Sequence, residues 1–71
     1  MERQPVKSRI LRSVGYDGTA KSLEIEFQNN LIYQFTDVPP KVFKDLMSSD
    51  TIGKYFTDKV RTKFHSKQIV A

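Results

Sequence analysis

Between Leu23 and Met47 the chain carries two alternating strands, a tight turn, a double proline and a helical repeat, and few folds accept that order. Leu23, Ile25 and Phe27 alternate with Glu24 and Glu26, the period of a strand with one buried face. Asn29-Asn30 follows, and asparagine tolerates the positive φ that a tight hairpin demands. Leu31, Tyr33 and Phe35 then resume the alternation. Val38-Pro39-Pro40 stops the sheet, because proline donates no ladder hydrogen bond yet opens a helix well.

The flanking segments extend this pattern. Arg9 to Tyr16 reads as a first strand, with Ile10, Val14 and Tyr16 at even spacing; Leu11 interrupts the alternation and leaves its buried face open. Gly15 inside that strand points to a bulge or a close backbone approach. Asp17-Gly18-Thr19-Ala20 reads as a turn in which Gly18 supplies backbone freedom and Asp17 accepts a local hydrogen bond. Beyond the prolines, Val42, Phe43, Leu46 and Met47 share one arc of a helix over Pro40 to Ser48. Ser48-Ser49-Asp50 breaks it and offers a cap to a second helix over Thr51 to Phe64, which turns Ile52, Tyr55, Phe56, Val60 and Phe64 to one side. Gly53 in its first turn costs about 1 kcal/mol relative to alanine and hints at close packing there. The expectation is an α+β domain: a three-stranded antiparallel β-meander followed by two α-helices packed on one sheet face, because each apolar side has nowhere else to go. The expected core is Val14, Leu23, Ile25, Phe27, Tyr33, Phe35, Val42, Phe43, Leu46, Tyr55, Phe56, Val60 and Phe64. Residues 1–71 form one domain in this reading, with 1–8 and 66–71 as partly flexible tails and Ile69-Val70 placed to close over the core edge.

Composition narrows the chemistry. The 71 residues include no cysteine, so no disulfide, thiolate nucleophile or zinc knuckle is available. One histidine, His65, cannot build a metal site alone. No apolar h-region follows the N-terminus and no apolar run reaches the roughly 20 residues that span a bilayer. A soluble cytoplasmic protein is the expectation, with no membrane association. The net charge of +4 is unevenly placed. Residues 1–12 carry Arg3, Lys7, Arg9 and Arg12 against Glu2, a net of +3. Residues 13–37 carry Lys21 against Asp17, Glu24, Glu26 and Asp37, a net of −3. Residues 38–71 carry seven cations against Asp45, Asp50 and Asp58, a net of +4. An anionic partner should therefore meet the basic ends rather than the acidic sheet.

Pro5-Val6-Lys7-Ser8, Val14-Gly15-Tyr16-Asp17, Leu23-Glu24-Ile25-Glu26-Phe27, Tyr33-Gln34-Phe35, Val38-Pro39 and Gly53-Lys54-Tyr55-Phe56, in this order, resemble the KTSC domain. That small domain is named for its occurrence at the C-terminus of some lysyl-tRNA synthetases, and it also occurs as free-standing bacterial and phage proteins. The resemblance spans nearly the whole chain. The family's central Tyr-x-Tyr pair reads here Tyr33-Gln34-Phe35, without the second hydroxyl. The family's hairpin glycine is replaced by Asn30, which accepts positive φ. The family has no established activity, and its synthetase context implies RNA binding.

Each marked residue has a structural and a functional reading. Tyr33 and Phe35 either pack in the core, in phase with their strand, or stack on bases as sheet aromatics do in RNA-recognition modules. Tyr16 with Asp17 is either a strand-end tyrosine beside a turn-closing aspartate or a hydroxyl–carboxylate pair. Gly53, Tyr55 and Phe56 serve packing, or Gly53-Lys54 marks a phosphate site at a helix N-terminus. Pro39, with Gly15, completes the structural set. Lys54, Lys59, Arg61 and Lys63, with Lys67 beyond, are either a solvated helix face or a phosphate-contacting surface, which Arg9 and Arg12 extend if they come near. His65 reads as a helix-end cation rather than a base. The dispersed aspartates offer no metal-ligand spacing. The expectation is a non-enzymatic domain with no cofactor, metal or small-molecule substrate, binding RNA (tRNA) weakly and electrostatically through the second helix. The alternative is a protein-interaction module or host-directed inhibitor that uses Ile69-Val70 and an edge strand.

Overall fold

The computed structural model describes residues 3–69 and builds one antiparallel sheet from β1 (Arg3–Pro5), β2 (Leu11–Asp17), β3 (Ser22–Phe27), β4 (Ile32–Phe35) and β5 (Ser66–Ile69), in that order across the sheet. The sheet thus has five strands, where the apolar pattern marks a three-stranded meander. Both additions come from segments expected to be tails. β1 pairs with β2 through Arg3↔Gly15 and Pro5↔Ser13, and β5 pairs with β4 through Ile32↔Ile69 and Phe35↔Ser66. Arg3–Pro5 is exposed throughout and β5 carries one half-buried residue, so neither strand shows the alternation that marks a half-buried strand. Val70, expected beside Ile69 over the core edge, lies outside the described residues.

The β2 alternation breaks for a local reason. The register slips between Leu11 and Ser13, leaving Arg12 as the extra residue of a bulge. Leu11 and Val14 therefore both face inward, Ile10 is 42% exposed, and the bulge sits at Arg12 rather than at Gly15. In the first turn Asp17 Oδ1 accepts from the backbone N–H of Thr19 and Ala20, but the positive φ, 54°, falls on Lys21 and not on Gly18. In the second turn Asn30 takes the positive φ expected of it, 70°.

Val14, Tyr16, Leu23, Ile25, Tyr33 and Phe35 share the covered face of the sheet, as their register pairs show. Helix α1 (Pro40–Ser48) begins with proline at N1 and buries Leu46 fully. The expected second helix is shorter and irregular: α2 (Ile52–Tyr55) passes directly into a π-helical turn over Phe56–Val60, closed by the Arg61 N–H to the Phe56 carbonyl at 2.9 Å, and turns follow to Phe64. The apolar spacing explains the irregularity. Ile52, Phe56, Val60 and Phe64 recur every fourth residue, and at 3.6 residues per turn each would drift by about 40° from the last. A widened turn absorbs that drift and keeps Phe56 and Val60 buried at 1% and 0% exposure. The core holds Leu11, Ile32, Val38 and Ile52 beyond the expected set, while Phe27, Tyr33, Val42, Phe43, Tyr55 and Phe64 are only partly buried. Among the described residues no helix is long and apolar enough to cross a membrane.

Candidate nucleic-acid interface

On the helix side of the sheet, a cleft of about 540 Å³ opens between the strand-entry loop at Arg9-Ile10, the β3–β4 hairpin and the π-helical turn. Phe27, Tyr33, Phe35 and Phe56 line it, together with Gln28, Asn29, Leu31, Thr57, Ser66, Arg9 and Arg61. Its size falls in the range of about 300–1,000 Å³ typical of ligand sites. The aromatic rings form a fixed edge-to-face cluster: Phe27 meets Tyr33 at 5.6 Å and Phe56 at 5.5 Å, and Phe35 meets Phe56 at 5.5 Å. Phe35 and Phe56 are buried, whereas Tyr33 and Phe27 are partly buried members of the same layer. Tyr33 thus belongs to the core edge and the cleft together.

The π-helical turn sets the position of Arg61. On a regular helix Lys54 and Arg61, seven residues apart, would share one outward face. The widened turn separates them: Arg61 lines the cleft and Lys54 does not. Lys54, Lys59 and Lys63 remain exposed on the same segment, outside the cleft. Arg9 lines the same cleft, so the N-terminal and C-terminal basic segments each bring a guanidinium to it. Arg12 does not join them. The bulge turns it to hydrogen-bond Asn30 Oδ1 at 2.8 Å, and it lines a separate shallow hollow with Arg3, Pro5, Ser13 and Glu26. Lys67 is the register partner of Gln34 and shares the uncovered sheet face with Glu24. Among the described residues no carboxylate lines the cleft, and the one ion pair is Arg3 with Glu24.

The remaining marked residues are placed by packing. A Cβ on Gly53 would lie 2.8 Å from Ser8 Oγ and 3.1 Å from Ile10 Cγ1, so its bare backbone lets the loop bearing Arg9 close down. α2 spans four residues and offers no phosphate-binding terminus. Gly15 stands between Arg3 and Glu24 in the cross-strand row, and the guanidinium pairs with the carboxylate across it. Tyr16 stacks on Phe43 at 4.8 Å, with burial and the Asp17 carboxylate raising its hydroxyl pKa. Burial and Asp45 likewise raise Tyr55. Pro39 precedes α1 in extended conformation. His65 is exposed, its carbonyl accepting from Thr36. Among the described residues no group of three metal-ligating side chains comes together. Sequence reasoning missed Ile10, Asn29, Leu31 and Thr57 as cleft residues; Ile10 and Leu31 fit a strand alternation in the sequence, and only the fold leaves them exposed.

The fold and cleft define a small five-stranded α+β domain with a basic-flanked aromatic hollow. The chain belongs to the KTSC domain family, whose model matches residues 7–64. It is similar to a crystallised KTSC domain protein of Yersinia pestis, 35% identical with a TM-score of 0.94 over 97% of both chains. An uncharacterised protein of Stutzerimonas stutzeri is 39% identical over 56 residues, 79% of each chain. A lysine–tRNA ligase of Nostoc punctiforme is 28% identical over 60 residues, which are 84% of this chain and 11% of the ligase.

Proposed function

We propose that this domain is a non-catalytic RNA-binding module that contacts phosphates through Arg9, Lys54, Lys59, Arg61 and Lys63. One observation carries the reading: Arg9 and Arg61, from opposite ends of the sequence, line one cleft that no carboxylate among the described residues lines. Placing like charges together without a counter-charge suits a polyanion. The similarity to part of a lysine–tRNA ligase supports RNA as that polyanion. Binding of this kind is sequence-tolerant and falls steeply with salt.

The test is an anisotropy titration of the domain with total tRNA at low and moderate salt, beside a Lys54→Glu/Arg61→Glu double variant. Saturable, salt-sensitive binding that disappears in the folded variant supports the reading. No binding at low salt, where phosphate contacts are strongest, ends it. A protein-interaction module is the second reading, favoured by Ile10 and Leu31, which stand 42% and 38% exposed beside the cleft. It would survive the charge reversal.

A further inference from the structure

We infer that the cleft takes one unpaired base of an RNA strand, with Arg9 and Arg61 on the phosphates to either side, so that the domain selects single-stranded over duplex RNA. The inference rests on the RNA-binding reading and adds to it what the cleft recognises.

A purely electrostatic surface needs only convex basic side chains, and Lys54, Lys59 and Lys63 already supply them. The cleft provides something different. Four aromatic side chains line it, and the partly buried rings of Phe27 and Tyr33 pack edge-to-face on each other, Phe27 also against Phe56. Rigid aromatic surface is sequence-tolerant for bases, since every base offers a π-face. The polar groups around it are partly uncommitted. The Asn29 side-chain oxygen accepts from the Leu31 N–H, which leaves its amide nitrogen to donate. The Thr57 hydroxyl donates to the Gly53 carbonyl, which leaves its lone pairs to accept. A donor and an acceptor beside an aromatic floor can meet the edge of a base. The two guanidiniums, of Arg9 and Arg61, then fit the phosphates on its 5′ and 3′ sides. A duplex keeps its bases stacked inside and presents only its outer groups to such a hollow.

The experiment uses a uridine decamer with one central 2-aminopurine, alone and annealed to its complement, titrated with the full chain while 2-aminopurine emission and anisotropy are read together. The expected result is at least tenfold tighter binding of the single strand with a saturable change in emission. Tyr33→Leu, which keeps apolar bulk but removes the ring, should weaken single-strand binding by about 5- to 150-fold, the span of base–aromatic stacking. Leu31→Glu, exposed and outside the core, should weaken it too by placing a carboxylate beside the cleft; thermal melts confirm that both variants fold. Equal affinity for duplex and single strand, or unchanged emission with both variants binding as wild type, overturns the cleft inference, while continued sensitivity of tRNA binding to Lys54→Glu/Arg61→Glu leaves the electrostatic reading standing. Failure of wild type to bind any RNA overturns both.

Discussion

The Tyr16 hydroxyl donates to the Val38 carbonyl at 2.5 Å, and the Val38 N–H donates to the Lys21 carbonyl at 2.9 Å. Val38 is fully buried in an irregular connection, where unpaired backbone groups would be costly. The first hairpin therefore satisfies the backbone of the segment that launches α1, and the Tyr16 ring adds a parallel stack on Phe43 of that helix. Val14-Gly15-Tyr16-Asp17 and Val38-Pro39 are one structural device.

Tyr16→Phe keeps the stack and deletes the donor. The orphaned Val38 carbonyl should cost about 1–3 kcal/mol, seen as a lower urea midpoint with an unchanged m-value. A variant as stable as wild type would show that the bond contributes nothing net.

Alkaline pH should act at the same place. Burial first, and Asp17 second, raise the Tyr16 pKa in the folded state; burial and Asp45 do so for Tyr55. The folded protein thus holds these protons more tightly than the unfolded chain. That contribution to stability is fully present below about pH 10 and is lost as pH rises through the raised values. Urea midpoints should be level for these two groups up to pH 9 and fall above 10, and Tyr16→Phe should fall less. An equal fall in that variant would assign the effect elsewhere.

Gly53→Ala sets two effects against each other. Alanine gains about 1 kcal/mol of helix propensity, but its Cβ would crowd Ser8 Oγ, which accepts from the N–H of Ile10 and Leu11 at 3.2 Å each. Ser8 cannot rotate away without releasing both. The clash should win, lowering the melting temperature by several degrees and loosening the loop that carries Arg9. Adding Ser8→Gly should recover part of the loss, a coupling that independent sites would not show.

What the sequence revealed divides along a physical line. Elements with one buried face were legible: Leu23, Ile25 and Phe27 alternate because one sheet face is covered, and Asn30 stood out because few residues accept positive φ. Edge strands were not, since Arg3–Pro5 and Ser66–Lys67-Gln68 bury almost nothing and owe their conformation to the neighbouring strand. The bulge at Arg12 and the π-helical turn hid for another reason. Each adds a residue to a regular repeat, so the repeat does not carry across it. Leu11, whose face the alternation left open, lies buried beside the bulge, and Arg61, expected on one outward face with Lys54, lines the cleft without it.

Arg9 and Arg12 give the sharpest comparison, because they are three residues apart with the same charge and opposite surroundings. Arg9 lines the cleft with Arg61; Arg12 is turned away by the bulge and bonded to Asn30. Both Arg9→Glu and Arg12→Glu change the net charge by two, so a diffuse attraction would weaken equally in each. A contact at the cleft would not. Arg9→Glu should cut RNA affinity about tenfold or more and reduce the steepness of log K against log salt by roughly the 0.7 expected for one single-strand phosphate contact. Arg12→Glu should leave the slope unchanged and lower affinity only slightly. Parallel losses in the two variants would mean that RNA responds to the overall charge of the domain, and that the meeting of Arg9 with Arg61 plays no part in binding.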